Sequence, residues 1–84
     1  MKNIVIESVK IVSPKKTIYA GKAKAVSAEN EKGGFDILPL HSNFISIIYN
    51  KIKVYLPNNS TKEISFKKGV LKVEKNQLVA AIED

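Results

Sequence analysis

Most of the chemistry this chain can offer lies between Glu29 and Phe44. His41 is the only histidine, and histidine is the side chain whose ordinary pKa lies near neutrality. Ser42 follows it, and Asp36 stands a little before it. Serine, histidine and aspartate are the parts of a nucleophilic triad, but adjacency of Ser42 and His41 in sequence is not triad geometry. A hydrogen-bonding or interface role for His41, just after Pro39, is the better reading. Glu29, Glu31 and Asp36 gather carboxylates around Gly33-Gly34, as a cation site would. Lys32 sits among them, however, and the alternating oxygen ligands of a calcium loop are missing. They read as solvated turn charges. Nor is Gly33-Gly34 a phosphate cradle, since it lacks the Lys-Ser/Thr pair and the helix start that would hold the anion. We therefore expect no catalytic set, no metal site and no cofactor.

The elements that must position these residues follow from composition and period. The 84 residues are enough for one domain, residues 1–84, with 44% hydrophobic and 26% charged side chains. There is no cysteine, so thiol redox, zinc–thiolate and cysteine-nucleophile chemistries are excluded. Apolar runs are too short to span a bilayer, and the Asn3–Ile6 stretch is too short for a signal-peptide core. A soluble, cytoplasmic protein is expected.

The net charge of +6 comes from fourteen lysines and no arginine. A basic domain raises the question of nucleic acid. Arginine, the residue suited to bidentate phosphate and guanine recognition, is absent. The lysines mostly alternate with apolar neighbours, as on the solvent face of a sheet. Tyr19, Phe35, Phe44, Tyr49, Tyr55 and Phe66 could form a base-stacking platform, but at strand spacing they read first as core.

The dominant period is two, and no helical pattern is convincing. Strands are expected around Val9–Ile11, Thr17–Ala20, Lys22–Ala28, Phe35–Ile37, Phe44–Tyr49, Lys51–Leu56, Thr61–Lys67, Val70–Glu74 and Gln77–Ile82. Ser13–Lys16, Gly21, Glu29–Gly34, Asn50, Pro57–Ser60, Lys67–Gly69 and Lys75-Asn76 are the turns and breaks between them. The parity of Ile4 and Ile6 is opposite to that of Val9 and Ile11, which asks for a bulge near Glu7-Ser8 or a separate N-terminal strand. The expected fold is all-β: a small sandwich or flattened barrel of about eight to ten short, mostly antiparallel strands.

Several stretches together resemble a known family. Val9-Lys10-Ile11-Val12-Ser13-Pro14, Ile18-Tyr19-Ala20-Gly21, Gly34-Phe35-Asp36-Ile37-Leu38-Pro39-Leu40-His41 and Gly69-Val70-Leu71-Lys72-Val73 occur in the order and spacing of one domain. It is the N-terminal β-sandwich of the epsilon subunit of F-type ATP synthases (the delta subunit in mitochondria). Leu40 stands where the family usually has glycine, Tyr49-Asn50-Lys51 where it usually has Lys-Pro-Gly or similar, and Lys68-Gly69 where it often has Gly-Gly. Family members usually continue into a C-terminal helical pair. The resemblance transfers neither that inhibitory element nor a nucleotide site to these residues.

What the resemblance implies is a non-catalytic rotor subunit. It would link the gamma subunit to the membrane c-ring and couple ion flow to ATP synthesis, at the cytoplasmic face of a bacterial membrane. The turn Glu29, Asn30, Glu31, Lys32, Gly33, Gly34 and Phe35 would face the c-ring loops. His41, Ser42, Asn43 and Phe44 would lie toward gamma. The alternative from a different class is a small basic β-barrel that binds single-stranded nucleic acid.

Overall fold

The computed structural model describes residues 4–83, and in them it is all strand and turn. Seven strands run in chain order: β1 Ile6–Val12, β2 Thr17–Ala23, β3 Ala25–Asn30, β4 Gly33–Ile37, β5 Phe44–Tyr55, β6 Thr61–Glu74 and β7 Gln77–Glu83. They form one hydrogen-bonded sheet in the order β2-β1-β7-β6-β5-β3-β4. Every pairing is antiparallel except β1 with β7.

The sheet folds back on itself. β2 and β4 are its two edges, yet the chain passes from β2 straight into β3, beside the opposite edge. At that corner the Lys24 N–H donates to the Tyr55 carbonyl at 2.7 Å. All seven strands then turn one face inward, onto a single core that includes Ile11, Val26, Ile37, Ile52, Leu71 and Leu78. A layer made of β4, β3 and the second half of β5 covers a layer made of the first half of β5, the end of β6, β7, β1 and β2. This is the flattened barrel that the alternation asks for.

The strands are fewer than the eight to ten expected because residues with turn chemistry lie inside two long strands. Asn50 joins the two expected halves of β5 and has φ 71°. The pairing runs from Tyr49 with Lys68 to Lys51 with Ser65, so Asn50 faces both Phe66 and Lys67. That two-against-one arrangement is a β-bulge, not a turn. The extra residue also switches the inward parity of β6, from Ile64 and Phe66 to Gly69, Leu71 and Val73. Lys67–Gly69 is therefore part of the strand. Gly21, expected as a break, likewise lies within β2, and the break comes instead at Lys24. There the inward parity changes from Ala23 to Val26 and Ala28.

At the N-terminus the expected bulge is present. The register of β1 on β2 shifts between Ile6 and Val9, which lets Ile6, Val9 and Ile11 all point inward. Ile4 belongs to no strand and is exposed. The Pro57–Ser60 and Lys75-Asn76 turns form where expected. Lys75 and Asn76 both have positive φ, 51° and 59°, the type I′ signature that matches the twist of a two-residue hairpin.

Candidate docking surface and its flanking loops

The fold does not assemble His41, Ser42 and Asp36 into a catalytic group. Asp36 on β4 accepts from the Ser27 hydroxyl of β3 at 2.6 Å. His41 Nδ1 lies 2.8 Å from the Ser42 carbonyl oxygen, and the ring meets Phe44 edge-on at 5.7 Å. The three carboxylates around the glycine turn are separated as well. Glu29 accepts from the Asn50 side chain at 3.0 Å, Glu31 is exposed, and Asp36 is occupied by Ser27.

The glycine turn is built locally. Asn30 Oδ1 accepts the Lys32 N–H at 2.9 Å, and the Asn30 amide reaches Ser46 of β5 at 3.3 Å. Gly33 takes φ 120°, a conformation that side chains rarely adopt, and it opens β4. At the far end of β4, the Leu38 carbonyl accepts from the His41 N–H at 3.2 Å, across Pro39 and Leu40. Proline second and a positive φ third, 64° at Leu40, define a type II turn. Asn76 holds this turn against the β6–β7 hairpin. Its Oδ1 accepts from Leu40 N–H at 2.9 Å, while its Nδ2 donates to the Val5 carbonyl at 2.9 Å.

The two predicted contact regions flank β4 in sequence and lie against one another in space, Asn30, Glu31 and Lys32 sharing a depression with Phe44, Ile45, Ser46 and Ile47. Phe35, midway along β4, meets Phe44 at 5.4 Å in an edge arrangement, and Phe44 in turn meets His41. Such pairs contribute about 1 kcal/mol each beyond their buried area. Ser42 and Asn43 are exposed in the loop between them.

Strand-by-strand reading missed the outer face of the β5–β6–β7–β1 layer. Register places Ile47 opposite Val70, Val70 opposite Ala81 and Ala81 opposite Val12, an apolar row across four strands. The next row is Ile45, Lys72, Val79 and Lys10. Ile45, Ile47, Val70 and Val79 are 67%, 46%, 44% and 47% exposed. A shallow depression of about 600 Å³ lies along this face, lined by Val12, Pro14, Ile47, Val70 and Ala81 among others. The signal was in the sequence. Ile47-Ile48, Val70-Leu71 and Leu78–Ile82 are consecutive apolar residues, and a strand apolar on both sides is one that expects cover on both sides.

The opposite outer face is chemically different. Asp36, Ser27, Lys53 and Glu63 align across β4, β3, β5 and β6 with charges alternating in sign. Lys53 Nζ also lies 5.2 Å above the Tyr55 ring. The aromatic side chains form no common platform. Phe66 is in the core, Phe35 and Phe44 pack against it, and the Tyr19 hydroxyl donates to the Lys22 carbonyl of its own strand at 2.7 Å.

Residues 7–83 match the family model of the ATP synthase, Delta/Epsilon chain, beta-sandwich domain. An ATP synthase epsilon chain of a Nitratiruptor species is 32% identical over 74 residues, covering 87% of this chain and 57% of that relative. An ATP synthase epsilon chain of Clostridium botulinum (strain Hall) is 39% identical over 69 residues, covering 81% and 52%. The chain spans about half the length of the curated relatives it matches. In fold it resembles a chain of the Tetrahymena thermophila mitochondrial ATP synthase central stalk/c-ring. The TM-score is 0.77 at 13% identity, covering 99% of this chain and 65% of that one. A chain of the Euglena gracilis mitochondrial ATP synthase OSCP/F1/c-ring assembly gives 0.84 at 10% identity, covering 98% and 52%.

Proposed function

The chain belongs to the ATP synthase delta/epsilon β-sandwich family, and from that premise we propose that it is a non-catalytic component of the central stalk. In this reading it joins the gamma subunit to the membrane c-ring and passes rotation between ion translocation and ATP synthesis or hydrolysis. It is held peripherally, through the complex, at the cytoplasmic face of a bacterial membrane.

The observation that carries the reading is the exposed apolar face of β5, β6, β7 and β1, set against an outer face of alternating charge on the other layer. A rotor part must be gripped firmly on one side and slip past solvent on the other. An apolar row of four strands supplies the grip through non-directional burial, at roughly 25 cal/mol per Å² of apolar surface covered. We assign this face, with His41, Ser42, Asn43 and Phe44 at its border, to gamma. The Glu29–Phe35 turn is assigned to the c-ring, where the exposed Glu31 carboxylate would meet basic or amide side chains. The close-packed core between the layers, braced by Phe35 on Phe44, suits a part that transmits strain.

The test is co-purification. The wild-type chain should bring down the gamma subunit of its own organism. Ile47→Asp with Val70→Asp should abolish that complex while circular dichroism and the thermal transition stay those of a folded β protein, because both side chains lie on the outer face. Undiminished capture by the folded double variant would sink the assignment.

A further inference from the structure

The outer face of β5, β6, β7 and β1 carries a pattern that matches itself. Cross-strand register sorts its outward side chains into rows, each read from β5 to β1. Ile47, Val70, Ala81 and Val12 make the central row, and Ile45, Lys72, Val79 and Lys10 lie on one side of it. On the other side Lys68 stands opposite Glu83. Every one of these side chains except Val12 is exposed.

A second copy of the chain can cover this face, sheet on sheet, about either of two twofold axes. An axis across the strands, through the Val70–Ala81 row, sets Lys72 of one copy over Lys68 of the other, like charge on like. An axis along the strands, between β6 and β7, lays β6 of each copy on β7 of the other. Val70 then meets Ala81, and Ile47 meets Val12. Lys72 meets Val79, over which its aliphatic stem lies while the ammonium stays in water. Lys68 meets Glu83, and the symmetry makes that ion pair twice. Past the apolar rows Glu74 meets Gln77, which are themselves cross-strand neighbours, so the rim on that side is polar. The depression of about 600 Å³ along the face leaves room for the facing side chains.

We propose that this face is a self-recognition surface through which two free copies of the chain pair, β6 on β7, with Lys68 and Glu83 as reciprocal contacts. Pairing takes the apolar rows out of water until another partner claims the face. That second step rests on the stalk reading above, in which gamma takes the same surface; the pairing itself does not.

Sedimentation of the chain over a wide concentration range tests this, with wild type, Lys68→Glu, Glu83→Lys and an equimolar mixture of the two variants. Wild type should show a reversible monomer–dimer equilibrium. Lys68→Glu sets Glu on Glu at both contacts, and Glu83→Lys sets Lys on Lys. Each variant alone should therefore pair at least about tenfold more weakly. Their mixture should regain a one-to-one dimer, because each copy brings the charge that the other lacks. Both variants stay net positive from a start of +6, so bulk attraction does not produce that recovery. A wild type that stays monomeric at every concentration, or a mixture no stronger than its components, overturns the proposal. So does pairing that ignores both substitutions, the result expected of strand addition at the β2 or β4 edge. Gamma added to the wild-type dimer should split it. If the dimer binds gamma intact, the self-pairing stands and the assignment of this face to gamma falls.

Discussion

At Leu40 the cost of a side chain is read directly from the backbone. A non-glycine residue in the left-handed region costs about 1–2 kcal/mol, while glycine gives back roughly 0.5–1 kcal/mol through its freer unfolded chain. Leu40→Gly should therefore stabilise the isolated protein by about 0.5–1 kcal/mol, seen as a rise of several degrees in thermal midpoint. Tyr19 offers a pH-dependent counterpart. Burial pushes its phenol above its ordinary value near 10. The neutral form is thus favoured by the fold, so this contribution is whole below about pH 10 and fades as pH rises through the higher folded value. Tyr19→Phe, which also loses the bond to the Lys22 carbonyl, should be less stable than wild type at pH 8. Urea midpoints measured from pH 8 to 11 should converge as the wild-type phenol ionises. At this scale part was legible: turns were expected around Gly33 and at Lys75-Asn76, and both form there, though the positive φ at Lys75 and Asn76 comes from the structure. The second role of Asn76, clamping Leu40 and Val5 at once, was not, because both partners are remote in sequence.

Elements were legible by period but not by boundary. Asn50 and Lys67-Lys68-Gly69 carry turn chemistry, and within an isolated sequence a bulge and a turn ask for the same residues. Only cross-strand register shows that β5 and β6 run through them. Gly69 illustrates what the register demands. A Cβ there would lie 2.7 Å from the Ala81 carbonyl oxygen and 2.9 Å from Ile82 Cγ2. Backbone cannot move aside cheaply, so Gly69→Ala should destabilise by about 1–3 kcal/mol, measured by urea unfolding. Gly21 looks similar in sequence and differs in kind. The nearest atoms to its Cβ position belong to the Tyr19 ring, 3.0 Å away at the hydroxyl. Gly21→Ala should be the milder change, under about 1 kcal/mol, because a side chain on an edge strand can swing away.

For the whole molecule, fold class was readable because one rule, apolar residues alternating along short strands, holds in every element. The difference between the two outer faces was signalled only strand by strand, by pairs such as Ile47-Ile48 and Val70-Leu71, and register is needed to line up Val12, Ala81, Val70 and Ile47 from four separate strands. That difference also bears on the charge of +6. A nucleic-acid site concentrates cations beside exposed aromatic faces. Here Lys10 and Lys72 flank an aliphatic face, Lys53 lies among carboxylates on the other, and Lys22 and Lys72 stand 3.9 Å from Glu7 and Glu74. Dispersed lysines of this kind attract a polyanion without fixing it. Binding to a labelled single-stranded oligonucleotide should therefore be detectable only at low salt. It should be lost near physiological ionic strength, with a log–log salt slope corresponding to few released counterions. The Ile47→Asp, Val70→Asp protein, which should lose gamma, should fall on the same oligonucleotide curve apart from a weakening expected from its two added negative charges. Saturable oligonucleotide binding at about 150 mM salt would show that lysine placement has a purpose beyond keeping the free surfaces and edges of this sheet in solution.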